Sequence, residues 1–189
     1  AYALNNSFAS GGTTSITNSG TVTKNATGNI TSTGAFSTTG DVNLAANITT
    51  TDTNLTIGGN LVIAEAATPT LSTGAGTAGN VLVSGTTNGT TGGVAETLTV
   101  QAGTGTATFT GNVGNNANGT ELEALTITNA AATTFSGTLD LANALTQTNA
   151  ATGTTTFTGA VAVGSADLKG TAYALNNSFA SGGTTSITN

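Results

Sequence analysis

The chain has 189 residues with two basic and eight acidic side chains, a formal net charge of −6, and no His, Cys, Met or Trp. Without His and Cys it lacks an imidazole base, a thiolate and the usual ligands of zinc and copper. Two lysines cannot neutralise a phosphate backbone, and no run of apolar residues is long enough to span a bilayer as a helix. The composition therefore argues against an enzyme, a nucleic-acid-binding protein and a helical membrane anchor, and favours a structural protein.

Thr, Gly and Asn together make up half of the chain, whereas charged residues make up 5%. Leu, Ile, Val and Phe contribute about a fifth, close to the level at which disorder becomes an alternative. Disorder also requires a high net charge, which is absent here. We therefore expect a folded chain with a thin apolar core.

Short segments in which Thr or Ser alternates with an apolar residue recur along the chain, at residues 15–17, 21–23, 55–57, 98–100 and 125–127. Alternation of this kind predicts short strands with one buried face, and the Gly and Asn residues between them suit tight corners. Residues 63–68 are the one short helix candidate, which Pro69 would end. The segment from Gly85 to Gly93 is predicted to be a projecting loop. The prediction is an all-β fold.

Residues 1–18 and residues 172–189 are identical, with the sequence AYALNNSFASGGTTSITN. The offset predicts one complete 171-residue unit (1–171) followed by the start of the next (172–189), within a longer tandem array. A terminal duplication introduced when the chain was made is the alternative explanation.

A weaker repeat lies within the unit, in the segments 98–113, 125–139 and 145–161. They share an L-T start, a stretch of small residues and a [AT]-T-F-[ST]-G-x-[VL] end. Leu98, Leu125 and Leu145 mark the starts, and the Phe residues of the ends are 26 and 22 residues apart. A period in the low twenties predicts a parallel β-solenoid of roughly eight coils per 171-residue repeat, about 38 Å long.

In this frame the chain resembles the repeat regions of large bacterial surface proteins, namely filamentous-haemagglutinin-like adhesins and autotransporter passengers. The resemblance implies a right-handed parallel β-helix, secretion to the extracellular space or cell surface, and a stalk or adhesive role. It implies no site residues.

Catalytic, cofactor and metal sites are all predicted to be absent. Glu121 and Glu123 are the strongest pair of carboxylates, since two acids suffice for glycoside hydrolysis, but their neighbours indicate a solvated loop. A calcium-binding nonapeptide is not present, because the Gly58-Gly59 and Gly92-Gly93 pairs lack aspartates at the required offsets. One carboxylate-plus-carbonyl calcium site per repeat is left open.

Thr-x-Thr pairs raise a second class of function, because a flat face of regularly spaced Thr can order water and bind ice. They occur at Thr106/Thr108/Thr110, Thr126/Thr128, Thr146/Thr148 and Thr154/Thr156/Thr158. Their uneven separation along the chain argues against one flat array and favours outward Thr residues and ladders between coils.

The leading hypothesis is a non-catalytic structural segment of a long extracellular fibre, stalk or surface adhesin. Its expected partners are adjacent repeats or copies of itself end to end, with lateral self-association and a surface glycan or cell target left open, and no nucleic acid. The alternative is a surface-binding module for ice, glycan or a host surface that uses an exposed Thr/Asn face.

Overall fold

The computed structural model describes residues 1–76, 79–90, 96–115 and 122–189, with the side chains of residues 149–152 left aside. Within these residues the chain forms strands joined by turns, without a helix. From Tyr2 to Phe109 the chain returns after every three strands to pair, in parallel, with the strand three positions earlier. From Val113 onward the same winding continues, with Val113 as a single bridging residue and with two long strands. Tyr2–Leu4 thus pairs with Val22–Lys24, and Phe8–Ser10 pairs with Ile30–Ser32. This arrangement is consistent with a parallel β-solenoid and confirms the all-β prediction.

We call three successive strands a coil and the three resulting columns of strands the first, second and third face. The first face consists of Tyr2–Leu4, Val22–Lys24, Val42–Leu44, Leu61–Ile63, Thr87–Asn88, the bridging residue Val113, Leu139–Asp140, Val161–Val163 and Phe179–Ser181.

The second and third faces are joined by two long strands, Ala144–Phe157 and Ser165–Leu175, which run through both. Besides the first parts of these two, the second face consists of Phe8–Ser10, Ile30–Ser32, Ile48–Thr50, Thr70–Ser72, Thr97–Gln101, Ala124–Asn129 and Thr185–Thr188. Besides their last parts, the third face consists of Thr14–Ile16, Phe36–Thr38, Leu55–Ile57, Val81–Val83, Thr106–Phe109 and Ala132–Phe135.

The core is a column of apolar side chains that point inward from every second strand position. Phe109, Phe135 and Phe157 stack in parallel on the third face, with ring centroids 5.3 and 5.2 Å apart. All three are at most 2% exposed. Because each side chain covers the one below it, few apolar residues per coil are enough to exclude water.

Each copy of the internal repeat frame occupies one coil, as its spacing predicts. Leu98, Leu125 and Leu145 are direct partners on the second face. Phe109 and Phe135 are direct partners on the third face, as are Phe135 and Phe157. The unequal spacing along the chain is absorbed in the loops between faces, so that the strands themselves stay aligned.

Glycines form a column at the corner between the third and the first face, at Gly59, Gly85, Gly111, Gly137 and Gly159. A Cβ added to Gly137 would lie 2.7 Å from the carbonyl carbon of Gly111. The glycine of the F-[ST]-G-x-[VL] frame is therefore required because successive coils approach backbone to backbone at this corner.

Asparagine side chains connect successive coils at the corners. Asn54 Oδ1 accepts a hydrogen bond from the backbone N–H of Asn80 (3.0 Å), and Asn80 Oδ1 accepts one from that of Thr106 (2.9 Å). At another corner Asn60 Oδ1 accepts from the N–H of Thr86 (2.9 Å). We call these rows of side chains the corner ladders. They accept hydrogen bonds from backbone N–H groups that do not take part in strand pairing.

Two local predictions are wrong. Residues 63–68 do not form a helix: Leu61–Ile63 is a strand, and the chain then turns at Ala66, whose φ is 57°. The segment from Gly85 is not one continuous projecting loop, because Thr87–Asn88 pairs with Leu61–Val62 on the first face. In both cases tertiary pairing outweighs local composition.

Candidate functional site

Of the two carboxylates considered as a candidate pair, only Glu123 lies among the residues that the structure describes; Glu121 lies outside them. Glu123 is partly exposed, and its Oε1 accepts a hydrogen bond of 3.2 Å from Asn143 Nδ2 in the next coil. Its environment is thus that of a contact between coils.

Other carboxylates also lie in structural contacts. Asp41 Oδ1 accepts the N–H of Asn60 (2.8 Å) as the first member of a corner ladder. Glu96 is 3% exposed and its Oε1 accepts from Thr90 Oγ1 (2.6 Å). Among the described residues, no group of three or more Asp, Glu, His or Cys side chains could hold a metal ion.

The glycine pairs considered for calcium have a different setting. Gly59 belongs to the corner column, where a Cβ would lie 2.5 Å from the carbonyl carbon of Gly40. Gly92 and Gly93 lie outside the described residues. The first pair is explained by close packing of the backbone.

One of the two lysines is inside the rod. Lys24 is 1% exposed and stands in the same inward column as Leu4 and Leu44. Its Nζ donates to the carbonyl oxygens of Asn25 (2.9 Å) and Thr27 (2.8 Å). Burial lowers the pKa of the Lys24 ammonium below its ordinary value, because the charged form loses hydration.

A second buried polar contact lies near the opposite end. Gln147 is 2% exposed; its Oε1 accepts from Thr155 Oγ1 (2.9 Å) and its Nε2 donates to the carbonyl of Lys169 (2.8 Å). Nearby, burial and the negative charge of Asp167 raise the pKa of the Tyr173 phenol. Neither contact was predicted, since an isolated Gln or Lys in a polar sequence gives no sign of burial.

The third face carries aligned Thr side chains on its outer surface. Thr108, Thr134 and Thr156 are direct partners in three successive coils and point outward between buried neighbours. Two rows flank this central row, so that eight of nine positions carry a hydroxyl; we call the set the hydroxyl grid, composed of Thr106, Thr108, Thr110, Ala132, Thr134, Ser136, Thr154, Thr156 and Thr158.

The four predicted Thr-x-Thr groups do not form one array, because they are divided between the second and the third face, but within each face the uneven separation along the chain does not prevent alignment. Thr106–Thr110 and Thr154–Thr158 are brought to the same face, with residues 132–136 between them. On the second face Thr126 and Thr146 are also direct partners. There, Thr128 Oγ1 donates to the carbonyl of Val100 and Thr148 Oγ1 to that of Thr128, at 3.2 Å each, so these two hydroxyls connect coils. Within the grid, Thr106 Oγ1 likewise donates to Asn80 Oδ1 of the preceding coil (3.1 Å).

Comparison of the chain with protein-family models, with curated proteins and with solved structures finds no match. The described residues also include no helix of the length and hydrophobicity needed to cross a membrane. The resemblance to bacterial surface repeats therefore stays a prediction, and the function is argued from the fold and its surfaces.

Proposed function

We propose that the chain is a non-catalytic structural segment of a long tandem-repeat fibre, stalk or surface adhesin outside the cell. In this proposal the rod is a right-handed parallel β-helix that supplies length, stiffness and spacing. Each 171-residue repeat continues into the next without a break in the strand ladders.

The observation that carries the proposal is the structure of the duplicated sequence. Residues 1–18 form one complete coil with another coil stacked after it, because Tyr2–Leu4 pairs with Val22–Lys24. Residues 172–189 form a coil with another coil stacked before it, because Phe179–Ser181 pairs with Val161–Val163. Together the two copies give both sides of a junction between repeats.

The chemistry of the rod agrees with a durable passive element. Asp41 and Glu123 accept hydrogen bonds from the next coil, and the buried Lys24 donates to carbonyls of the turn that follows its strand. The interior is closed by stacked apolar side chains. Such a ladder distributes stability over many equivalent hydrogen bonds. It also leaves the outer surface free to vary without loss of the rod.

Oriented fibres of a chain with several repeats test the proposal by X-ray diffraction. A reflection at ~4.8 Å along the fibre axis is expected, because strands stack along the length of the rod. A 4.8 Å reflection perpendicular to the fibre axis, or its absence from well-oriented fibres, would contradict the proposal.

The hydroxyl grid supports a second candidate, a surface-binding module for ice or a glycan. Eight hydroxyls at strand spacing could order water or contact sugar hydroxyls over three coils. Thermal hysteresis and glycan binding should be measured for the unchanged chain and for Thr134→Lys, which places a charge at the centre of the grid. Ser37→Lys, on the same face but outside the grid, is the matched control. Loss of binding only in Thr134→Lys would favour this candidate.

A further inference from the structure

The second copy of the repeated sequence begins on a different face from the first copy. Tyr2 pairs with Val22 on the first face, whereas the equivalent Tyr173 pairs with Thr155 on the third. Counted along the described strands and the Val113 bridge, the second copy begins seven coils and two faces after the first. One 171-residue repeat is therefore not a whole number of coils.

The other two strands of the repeated sequence show the same displacement. Phe8 lies on the second face, whereas the equivalent Phe179 lies on the first. Thr14 lies on the third face, whereas the equivalent Thr185 lies on the second. All three strands of the sequence thus move by one face in the same direction, so the whole coil is turned about the axis of the rod.

Equivalent side chains keep their inward direction in both positions. Phe8 and Phe179 both pack against the apolar core, although they lie on different faces. Leu4 also packs against the core, and the equivalent Leu175 is the direct partner of the buried Phe157. Because parallel strands pair through their backbones, a segment with this alternation can continue any of the three columns of strands.

We propose that each repeat of the tandem array is turned by about a third of a revolution relative to the repeat before it, so that the hydroxyl grid is presented on all three sides of the rod. This rests on the proposed function and adds the arrangement of its exposed surfaces. The grid lies on the third face in one repeat, on the second face in the next and on the first face in the one after. It returns to the third face after three repeats, which is 23 coils or ~110 Å at the strand spacing.

This arrangement limits the kind of partner that the array can hold. A flat surface, such as an ice plane, contacts one side of a straight rod and meets only every third grid. Multivalent binding is lost where the geometry prevents simultaneous engagement, so neighbouring repeats cannot cooperate on such a surface. Separate molecules that approach from any direction, such as soluble glycan chains, can occupy the grid of every repeat. The array therefore fits discrete partners distributed around the rod.

Paired cysteines test the turn within the chain itself, which has no Cys of its own. Thr156 and Ala174 are direct partners on the third face, and neighbouring strands are within disulfide reach. Thr156→Cys/Ala174→Cys is therefore expected to form an intramolecular disulfide on oxidation. If the repeat were a whole number of coils, Ala174 would instead lie beside Ala162 on the first face.

Two further variants make this test decisive. Ala162→Cys/Ala180→Cys joins direct partners on the first face and should also form a disulfide, which makes it the positive control. Ala162→Cys/Ala174→Cys is expected to keep both thiols free. A disulfide in that variant, or its absence from Thr156→Cys/Ala174→Cys while the positive control forms one, would overturn the proposal.

Monovalent streptavidin tests the presentation of the grid in an array of six units. A biotin is attached to Thr134→Cys, at the centre of the grid, in every unit, and the unlabelled array is the control. Streptavidin is wider than the ~37 Å between successive units, so labels on one side would leave room for it on every second unit only. Labels on three sides should let all six units bind, with neighbouring molecules on different sides of the rod in electron micrographs.

This experiment separates the failure of the two proposals. Rods of the expected length that bind three streptavidin molecules, all on one side, would overturn the turn between repeats and leave the fibre function standing. Separate beads joined by flexible linkers would refute the fibre function itself.

Discussion

Phe135 lies between Phe109 and Phe157 with its ring stacked on both, although the three residues are separated by 26 and 22 positions in the chain. The same alignment holds for Thr108, Thr134 and Thr156 on the outer side of these strands. The buried Phe column and the outward Thr column thus both follow from the same register of the strands on the third face. Any change that shifts the register would disturb the core and the hydroxyl grid together.

Replacing Gly137 by alanine should lower the free energy of unfolding by about 1–3 kcal/mol, as overpacking of a close contact does. Its Cβ would lie 2.7 Å from the backbone nitrogen of Asn112 as well as near Gly111. Gly11→Ala is the control, because nothing lies within 4 Å of a Cβ at that position. Denaturant unfolding should show a loss only in Gly137→Ala; equal stability of the two variants would contradict the packing argument.

Replacing Gln147 by leucine should cost about 1–3 kcal/mol, since it leaves the buried Thr155 hydroxyl without its partner. The double variant Gln147→Leu/Thr155→Val also removes the Thr155 hydroxyl and should recover the part of the loss that comes from it, whereas the carbonyl of Lys169 lacks the Gln147 Nε2 donor in both variants. Thermal unfolding of the single and double variants measures the coupling between the two positions. Purely additive effects would show that the hydrogen bond contributes nothing.

Replacing Asn80 by leucine should destabilise the rod by about 1–3 kcal/mol, because its Oδ1 accepts from both the N–H (2.9 Å) and the hydroxyl (3.1 Å) of Thr106. Asn80→Asp keeps an acceptor at the same place and should retain most of the stability. Amide hydrogen exchange at Thr106 reports the same contact, with faster exchange expected only in the leucine variant. Unchanged protection would argue against a role for the corner ladder.

Because of Lys24, the free energy of unfolding should change with pH in the alkaline range. Its folded-state pKa is lowered by burial, so between that value and the unfolded pKa the unfolded chain binds more protons. Stability should therefore rise with pH through this window. Tyr173, whose pKa is raised, has the opposite effect above its ordinary range near pH 10. Melting temperatures measured between pH 8 and 10 therefore report the contribution of Lys24 without that of Tyr173.

Lys24→Met removes that titration and should abolish the rise, while Lys169→Met, at a half-exposed position, should keep it. An identical pH profile in Lys24→Met and the unchanged chain would contradict the assignment.

The parallel all-β arrangement and the alignment of the Leu and Phe frames followed from the sequence because both rest on periodicity. The features that depend on how the faces align could not be predicted, because the loops between the strands differ in length. The residues between Phe36–Thr38 and Leu55–Ile57 are fewer than those between Leu55–Ile57 and Val81–Val83, yet the strands remain in register. Counting residues alone therefore could not show that the hydroxyl grid is continuous, or that residues 172–189 occupy different faces from residues 1–18.

The burial of polar residues could not be predicted from the sequence for another reason. Lys24 follows a Thr-Val-Thr segment that alternates as a strand should, and alternation correctly places its side chain inward. Its charge argues for the outside, and only the nearby carbonyls of Asn25 and Thr27 make the inward position acceptable. Such partners come from the turn geometry that follows the strand.

The length of covalent arrays tests the central claim most directly. Chains of one, two and four 171-residue units should be imaged by electron microscopy. Because each unit adds seven coils and two faces at ~4.8 Å per coil, each added unit should lengthen an unbranched rod of constant width by ~37 Å. Particles that grow in width, or that form separate beads joined by flexible linkers, would contradict a continuous rod.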